Sequence, residues 1–159
     1  MKNVLLSWSS GKDSAWALHV LRQTPGLEVA ALITTFNKRA DRVAMHAVRR
    51  ELVAAQAERI GLPLWAVELD WPCSNAAYEE LMAGVWRRAT EQRIDAVAFG
   101  DLFLEDIRTY RERQLEGTGL NPLFPIWGLS TRELAGQMIV SGIGAKLTCV
   151  DPKRLESSF

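Results

Sequence analysis

The apolar residues of this chain fall into short runs, separated by longer segments in which apolar and polar residues mix. The runs are rich in aliphatic and β-branched residues, which is typical of buried strands. They predict five strands, at Asn3 to Ser7, Glu28 to Thr35, Leu64 to Leu69, Ala96 to Gly100 and Lys146 to Val150.

Two of the segments between the strands repeat apolar residues every three or four positions, which predicts helices with one apolar face. These positions are Met45, Val48, Leu52 and Ala55 in the first segment, and Tyr78, Leu81, Val85 and Ala89 in the second. Strands that are apolar along most of their length and alternate with helices indicate a parallel sheet covered on both faces. We therefore predict an α/β fold with a Rossmann-like, doubly wound parallel sheet. Ligands of such sheets bind beyond the carboxyl ends of the strands, where the strand order reverses.

The segment Trp8-Ser9-Ser10-Gly11-Lys12-Asp13-Ser14 joins the first predicted strand to a helical run. A glycine between small hydroxyl residues lets backbone N–H groups turn toward one point, and the helix presents its positive end there. This predicts a phosphate-binding loop. The structural alternative is an ordinary turn in which Ser and Asp cap the helix. The loop fits neither the Walker A pattern nor the dinucleotide pattern G-x-G-x-x-G.

A second polar stretch, residues 100–112, starts where the fourth predicted strand ends. Asp101 therefore falls on the ligand-binding edge of the sheet. Glu105, Arg108, Arg111 and Glu112 follow at helical spacings, so a salt-bridged exposed helix is the structural alternative. Nearness to the strand end favours Asp101 and Arg108 as site residues.

Composition limits the class of protein. A chain of 159 residues with 48% hydrophobic content can bury one core, so we expect one compact unit. Its 19 basic and 19 acidic residues cancel, which disfavours nucleic acid as a partner. No run of 18 uncharged apolar residues and no signal-peptide layout occur, so we expect a cytoplasmic protein without membrane contact.

The loop resembles the PP-loop of the ATP pyrophosphatases, in the adenine nucleotide alpha-hydrolase (HUP) superfamily, whose usual form is Ser-Gly-Gly-x-Asp-Ser. Ser10 stands where that pattern has its first glycine; if the position needs a positive φ, the serine costs on the order of 1 kcal/mol. Further segments follow in an order similar to the diphthine–ammonia ligase family. They are Gln56-Ala57, Gly61-Leu62-Pro63, Tyr78-Glu79, Gly100-Asp101, Tyr110-Arg111-Glu112 and Pro125-Ile126-Trp127.

The resemblance implies a HUP-type ATP-binding core over residues 1–100. Residues 101–159 would begin a substrate-binding region. Family members usually continue with a segment containing Cys-Gly-Glu-Asn-Gly-Glu, and this sequence does not contain it. Members use ATP and ammonia to convert a carboxylate into an amide, and release AMP and pyrophosphate.

Residue roles follow from this chemistry together with the resemblance. We expect the β- and γ-phosphates of ATP to contact Ser9, Ser10, Gly11, Lys12, Asp13 and Ser14. Lys12 would add positive charge unless it points to solvent, and Asp13 would bind Mg²⁺ unless it only supports the loop. By fold analogy, adenine would lie against the backbone of Ile33, Thr34 and Thr35.

The remaining expected roles concern the acceptor. Asp101 would lie near the reacting carboxylate or a metal, and Arg108 or Arg111 would hold an anionic acceptor. We thus expect Asp101, Arg108 and Lys12 to act in catalysis.

Three hypotheses stay open on the sequence. The first is an AMP-forming amide ligase whose partners are ATP, ammonia and a carboxylate-bearing small molecule or modified protein. The second is a regulatory module that binds ATP without turnover. The third is a PP-loop ATP pyrophosphatase acting on tRNA. The identity of the acceptor and the oligomeric state are also open, with a homodimer among the options.

Overall fold

The computed structural model describes residues 1–148 and 151–153. In chain order, its elements are β1 (Lys2–Ser7), α1 (Lys12–Gln23), β2 (Leu27–Asn37), β3 (Arg42–Val43), α2 (Arg50–Ile60), β4 (Leu64–Leu69), α3 (Asn75–Glu91), β5 (Ala96–Ala98), α4 (Glu105–Leu115), β6 (Asn121–Leu123) and α5 (Thr131–Val140). None of the helices in this part of the chain is long and apolar enough to cross a membrane.

Five strands form a parallel sheet in the order β4, β2, β1, β5, β6. The short β3 runs antiparallel to the end of β2, where Phe36 pairs with Val43 of β3 and with Glu68 of β4. From β1 the chain builds outward to β2 and β4, and then crosses back to add β5 on the other side of β1. The strand order therefore reverses between β1 and β5, and a crevice is expected at their carboxyl ends.

Helices cover both faces of the sheet, which confirms the doubly wound α/β prediction. On one face, Val4 and Leu6 of β1 pack with buried residues of α1 and α2, among them Leu18 and Val53. On the other face, Leu5 packs with a cluster that contains Met82 and Trp86 of α3 and Leu115 of α4. Adjacent β1 residues point to opposite faces, and both sides are apolar because both are buried. A third cluster joins α5 to Trp16 of α1 through Leu134 and Met138.

The fifth predicted strand is wrong over the residues that can be described. Lys146 to Thr148 form no strand, and Cys149 and Val150 lie outside the described residues. The fifth parallel strand is instead β6, with only three residues, Asn121–Leu123. Its central residue is Pro122, which donates no backbone hydrogen bond and is tolerated because β6 is an edge strand. A short strand centred on proline gives no recognisable pattern in the sequence.

The apolar face predicted for the first helix is also wrong. Met45 lies in a turn before α2 and is 98% exposed, and Leu52 is exposed on the helix surface. Val53 and Ala57 face the core instead, one position out of phase with the predicted face at Leu52. In α3 the predicted apolar face matches the buried face only in part. Met82 and Trp86 are buried, whereas the predicted residue Leu81 is exposed.

Candidate functional site

A cavity of about 510 Å³ opens at the carboxyl ends of β1, β2 and β5. One side is made by the β1–α1 connection and the end of β2, both of which carry predicted nucleotide-binding residues. The predicted residues that line it are Ser9, Asp13, Ser14, Ile33, Thr34, Thr35 and Asp101. Ser10, Gly11, Lys12 and Arg108 do not line it. The structure thus brings both predicted stretches, at the β1–α1 connection and after β5, to one cavity.

The β1–α1 loop, residues 8–11, contains a left-handed residue at Ser10, with φ of 68°. This is the position where a glycine is usual, and a residue with a Cβ is strained there. Gly11 then returns to extended backbone and precedes the first residue of α1. The loop thus has a positive φ at Ser10, a conformation that is less favourable for serine than for glycine.

The hydroxyls of Ser9 and Ser14 close a small hydrogen-bonded ring at the start of α1. The Gly11 N–H donates to Ser9 Oγ at 3.3 Å, and Ser14 Oγ donates to the Gly11 carbonyl at 2.9 Å. The two hydroxyl oxygens are 3.2 Å apart. If Ser14 donates to Gly11, the Ser9 proton points to Ser14, and rotation of that proton would let Ser9 donate to an anion in the cavity.

The end of β2 supports the loop from below. Trp8 N–H donates to the Ile33 carbonyl at 2.8 Å, and Thr34 Oγ1 donates to the Trp8 carbonyl at 2.6 Å. Thr34 is only 2% exposed, and its hydroxyl already donates to the loop. Contact with a ligand would therefore have to come through the Thr34 backbone.

Gly100, just after β5, lies directly against the first turn of α1. A Cβ built at this position would be 3.1 Å from the Asp13 carbonyl oxygen and 3.2 Å from the Ser14 nitrogen. The absence of a side chain therefore lets the strand end approach the N-terminus of α1. Gly100 thus joins the end of β5 to the first turn of α1, and both border the cavity.

Lys12 and Asp13 pair with each other, with 2.6 Å between Lys12 Nζ and Asp13 Oδ1. Asp13 lines the cavity, and the positive end of α1 favours a carboxylate in this first turn. Lys12 lies outside the lining, but its amine is held at the edge by Asp13. The pair places one negative and one positive group beside the place predicted for phosphates.

Asp101 and Arg111 form the charged pair on the opposite wall, with 3.7 Å between Asp101 Oδ2 and Arg111 Nε. Both of these atoms are buried, and neither has a hydrogen-bond partner within the described part of the chain. The Arg111 guanidinium also lies 4.9 Å from the centre of the Phe99 ring. The pair is held in place by packing, and both residues line the cavity.

Arg108 points elsewhere. Its guanidinium pairs with Glu112 at 2.9 Å and lies over the rings of Phe124 and Trp127, at 4.7 and 4.9 Å. The geometry gives no support to its predicted catalytic role, which stays a prediction. Arg111, three residues later on α4, occupies the position facing the cavity.

Several other cavity residues are not among the predicted site residues. They are Val43, Ala44, Met45 and His46 around the turn after β3, Trp71, Cys73 and Asn75 before and at the start of α3, and Tyr78 and Tyr110. Tyr78 and Tyr110 belong to segments that carried the family resemblance, so a signal for them existed. The turn residues carried no signal, since their approach to the cavity depends on the β2–β3 hairpin.

Tyr110 is a titratable residue of the cavity whose pKa is altered by its surroundings. Burial raises the pKa of its phenol, and the nearby Tyr78 and Glu79 raise it further, while Arg111 lowers it. Tyr110 Oη accepts a hydrogen bond from Gln114 Nε2 at 3.0 Å. At neutral pH the phenol therefore keeps its proton and can donate it to a ligand.

The sheet order and the loop together define a PP-loop protein with the Rossmann-like HUP fold. Residues 1–122 match the family model described as the diphthamide synthase N-terminal domain. The chain belongs to this family, a PP-loop ATP pyrophosphatase family related to diphthine–ammonia ligase, which confirms the resemblance found in the sequence. No curated protein matches the chain. Membership implies an ATP-utilising function, and the matched range contains every cavity residue named above.

Proposed function

We propose that the protein is an AMP-forming amide ligase that adenylates a carboxylate and amidates it with ammonia. One observation carries the proposal. A single cavity has the N-terminus of α1 with two serine hydroxyls on one wall and the Asp101–Arg111 pair on the other. The first wall suits a polyphosphate and the second suits a polar acceptor, so two substrates can meet between them.

The nucleotide wall would bind ATP mainly through backbone groups. N–H groups at the start of α1, with the Ser9 and Ser14 hydroxyls, suit the β- and γ-phosphates and the departing pyrophosphate. Lys12 lies close enough to Asp13 to add positive charge at the same end. The backbone of Ile33 to Thr35 is the proposed seat of adenine.

The donor set also fits the Mg²⁺ that the family implies. Asp13 lines the cavity with a carboxylate, and Mg²⁺ binds through one or two carboxylates plus phosphate oxygens and water. Asp13 is therefore the proposed ligand, directly or through water. Bound Mg²⁺ would neutralise charge on the phosphate oxygens.

The chemistry needs two displacements. A carboxylate oxygen attacks the α-phosphorus of ATP, the bond to the bridging oxygen breaks, and pyrophosphate leaves. Ammonia then attacks the acyl carbon, AMP leaves with the electron pair of the broken C–O bond, and the nitrogen loses a proton to give the amide. Adenylation is needed because oxide is a poor leaving group and AMP is a good one.

The acceptor wall would orient the carboxylate and receive the proton. Arg111 is suited to hold an anion, and Tyr110 to donate a hydrogen bond to it. Asp101 can accept a proton from the attacking nitrogen. The acceptor is a carboxylate of the diphthine type, on a small molecule or a modified protein.

The test is a product analysis with labelled oxygen. The protein would be incubated with Mg²⁺, ammonium, ATP and a pool of carboxylates labelled with heavy oxygen, including diphthine-bearing elongation factor 2. We expect AMP and pyrophosphate in equal amounts and one heavy oxygen in each AMP. Omission of ammonium should stop amide formation.

Matched serine variants control for the site. Ser14→Ala removes a hydroxyl from the nucleotide wall, whereas Ser141→Ala changes an exposed serine at the end of α5. Only the first should lower AMP release. Measurable ATP binding without AMP would overturn the ligase and favour a module without turnover, and AMP formation dependent on tRNA would favour the tRNA-modifying alternative.

A further inference from the structure

We infer that Gln56 of α2 is a positioning residue that holds the strained β1–α1 loop in its phosphate-binding shape. Gln56 lies outside the nucleotide cavity, in a separate groove between α1 and α2. Any effect on nucleotide binding must therefore pass through the loop. The affinity part of the inference rests on the proposed function, whereas the loop geometry does not.

The Gln56 amide makes two contacts with the loop. Its Oε1 accepts from the indole Nε1 of Trp8 at 2.9 Å, and its Nε2 donates to the Ser10 carbonyl at 3.4 Å. The two contacts hold the first loop residue and the left-handed residue to the same side chain. Trp8 is 4% exposed, so the first contact is anchored in the core.

The strain at Ser10 explains why this loop needs an outside restraint. Ser10 adopts φ of 68°, a conformation that glycine takes freely and serine does not. Among the hydrogen bonds that reach residues 8–11 from other elements, those from β2 hold Trp8, while Gln56 reaches Ser10 itself. Such strained residues persist where the surroundings over-determine them. Gln56, on α2, provides such a restraint through its contact with the Ser10 carbonyl.

This inference predicts that the two positions are coupled. With serine at position 10, loss of the Gln56 contacts should let the loop relax away from the positive φ. With glycine there, the same φ costs nothing, so the loop should keep its shape without Gln56. A role of Gln56 in packing alone would instead give the same loss in both backgrounds.

The test is a double-mutant cycle of Gln56→Met and Ser10→Gly. Titration with ATP and Mg²⁺ should show Gln56→Met weakening affinity about tenfold with Ser10 present, and about twofold or less with Ser10→Gly. Gln56→Glu keeps an acceptor for Trp8 and loses the donor to Ser10, so it should resemble Gln56→Met. Gln137→Met, at an exposed glutamine of α5, is the control and should leave affinity unchanged.

Amide hydrogen exchange of the protein without nucleotide separates this inference from the proposed function. Exchange at Gly11 and Ala15, which donate to Ser9 Oγ and the Gly11 carbonyl, should speed up in Gln56→Met and return to normal when Ser10→Gly is added. That result supports the restraint even if ATP does not bind. Equal exchange changes in both backgrounds, or none in either, would overturn it.

Discussion

The two walls of the cavity differ in what builds them. The nucleotide wall consists of a strand end, a tight loop and a helix N-terminus, and its side chains mostly serve to hold backbone groups in place. The acceptor wall is made by side chains of α3, α4 and the segment after β5. In this wall Arg111 pairs with Asp101 and lies over the Phe99 ring. A wall built from backbone groups suits a polyphosphate, whereas a wall built from side chains can change its acceptor with few substitutions.

The largest expected effect concerns the contact that joins the two walls. Gly100→Val places a branched side chain where even a Cβ would be 3.1 Å from the Asp13 carbonyl. We expect a loss of about 2–3 kcal/mol in the free energy of unfolding, because backbone must move, together with loss of ATP binding. Denaturant unfolding and ATP titration measure the two effects.

A matched glycine separates this contact from a general glycine effect. Gly136 lies within α5, and a Cβ there meets nothing within 4 Å. Gly136→Ala should stabilise the protein by about 0.5–1 kcal/mol and leave ATP binding unchanged. If Gly100→Val bound ATP as well as the unchanged protein, the close approach of Gly100 to α1 would not be needed for ATP binding.

The next effect should divide binding from turnover. Asp101→Asn keeps the shape of the side chain and removes its charge and basicity. We expect amide formation to fall about a hundredfold while ATP affinity stays the same, since Asp101 lies on the acceptor wall. A large loss of ATP affinity in the titration would move Asp101 to the nucleotide wall.

The fold was predictable from sequence where strands are buried on both faces. β1, β2 and β5 contain runs of buried apolar residues, because they lie inside the sheet and under helices. β4 pairs only with β2 and alternates buried with exposed residues, and it was predicted from its apolar residues Leu64 to Val67. β6 was not predicted, because three residues with a central proline give no periodicity. Its place in the sheet is defined by pairing with Ala96 to Ala98. The buried face of α2 was predicted wrongly because Leu52 is large and apolar but exposed, whereas Ala57 is small but buried.

That Ser9, Asp13 and Ser14 would lie together with Asp101 at one cavity was predictable, because the first three are contiguous in sequence and both stretches follow strand ends. Their roles in binding nucleotide stay predictions. Which of Arg108 and Arg111 lines the cavity was not predictable, since both occur on α4 and both follow Asp101 at short range. The rotation of α4 about its axis decides which arginine faces the cavity. It directs Arg108 to Phe124 and Trp127, and Arg111 to Phe99. That rotation depends on packing against β6, an element the sequence did not reveal.

These two arginines offer a direct test within the acceptor wall. Arg111→Ala should raise KM for the acceptor about tenfold or more, because a charged hydrogen bond is lost, with KM for ATP unchanged. Arg108→Ala should leave both KM values near those of the unchanged protein, since it loses contacts with Glu112 and the two rings instead. Steady-state kinetics with each substrate varied in turn measures these KM values. A larger effect of Arg108→Ala on the KM for the acceptor would reverse the assignment.

On the nucleotide wall, Asp13→Ala distinguishes a metal ligand from a loop support. If Asp13 binds Mg²⁺, ATP affinity should fall about tenfold in Mg²⁺ and stay the same or rise after chelation, since Lys12 then loses its paired carboxylate. A role in loop structure alone would lower affinity equally in both conditions. Asp106→Ala, at an exposed position in the first turn of α4, is the matched control for the helix charge.

The smallest expected effect is the pH dependence that Tyr110 gives to stability. Burial, Tyr78 and Glu79 raise its pKa above the ordinary value near 10, so the folded protein favours the protonated phenol. Its contribution to stability is therefore complete below that ordinary value, and is lost as the pH rises through the higher pKa of the folded state. Tyr110→Phe has no such proton to lose, and its unfolding free energy should fall less between neutral and alkaline pH. Denaturant unfolding of the two proteins at the same set of pH values measures the difference. Parallel curves for the two proteins would mean that the acceptor wall does not hold the phenol in its neutral form.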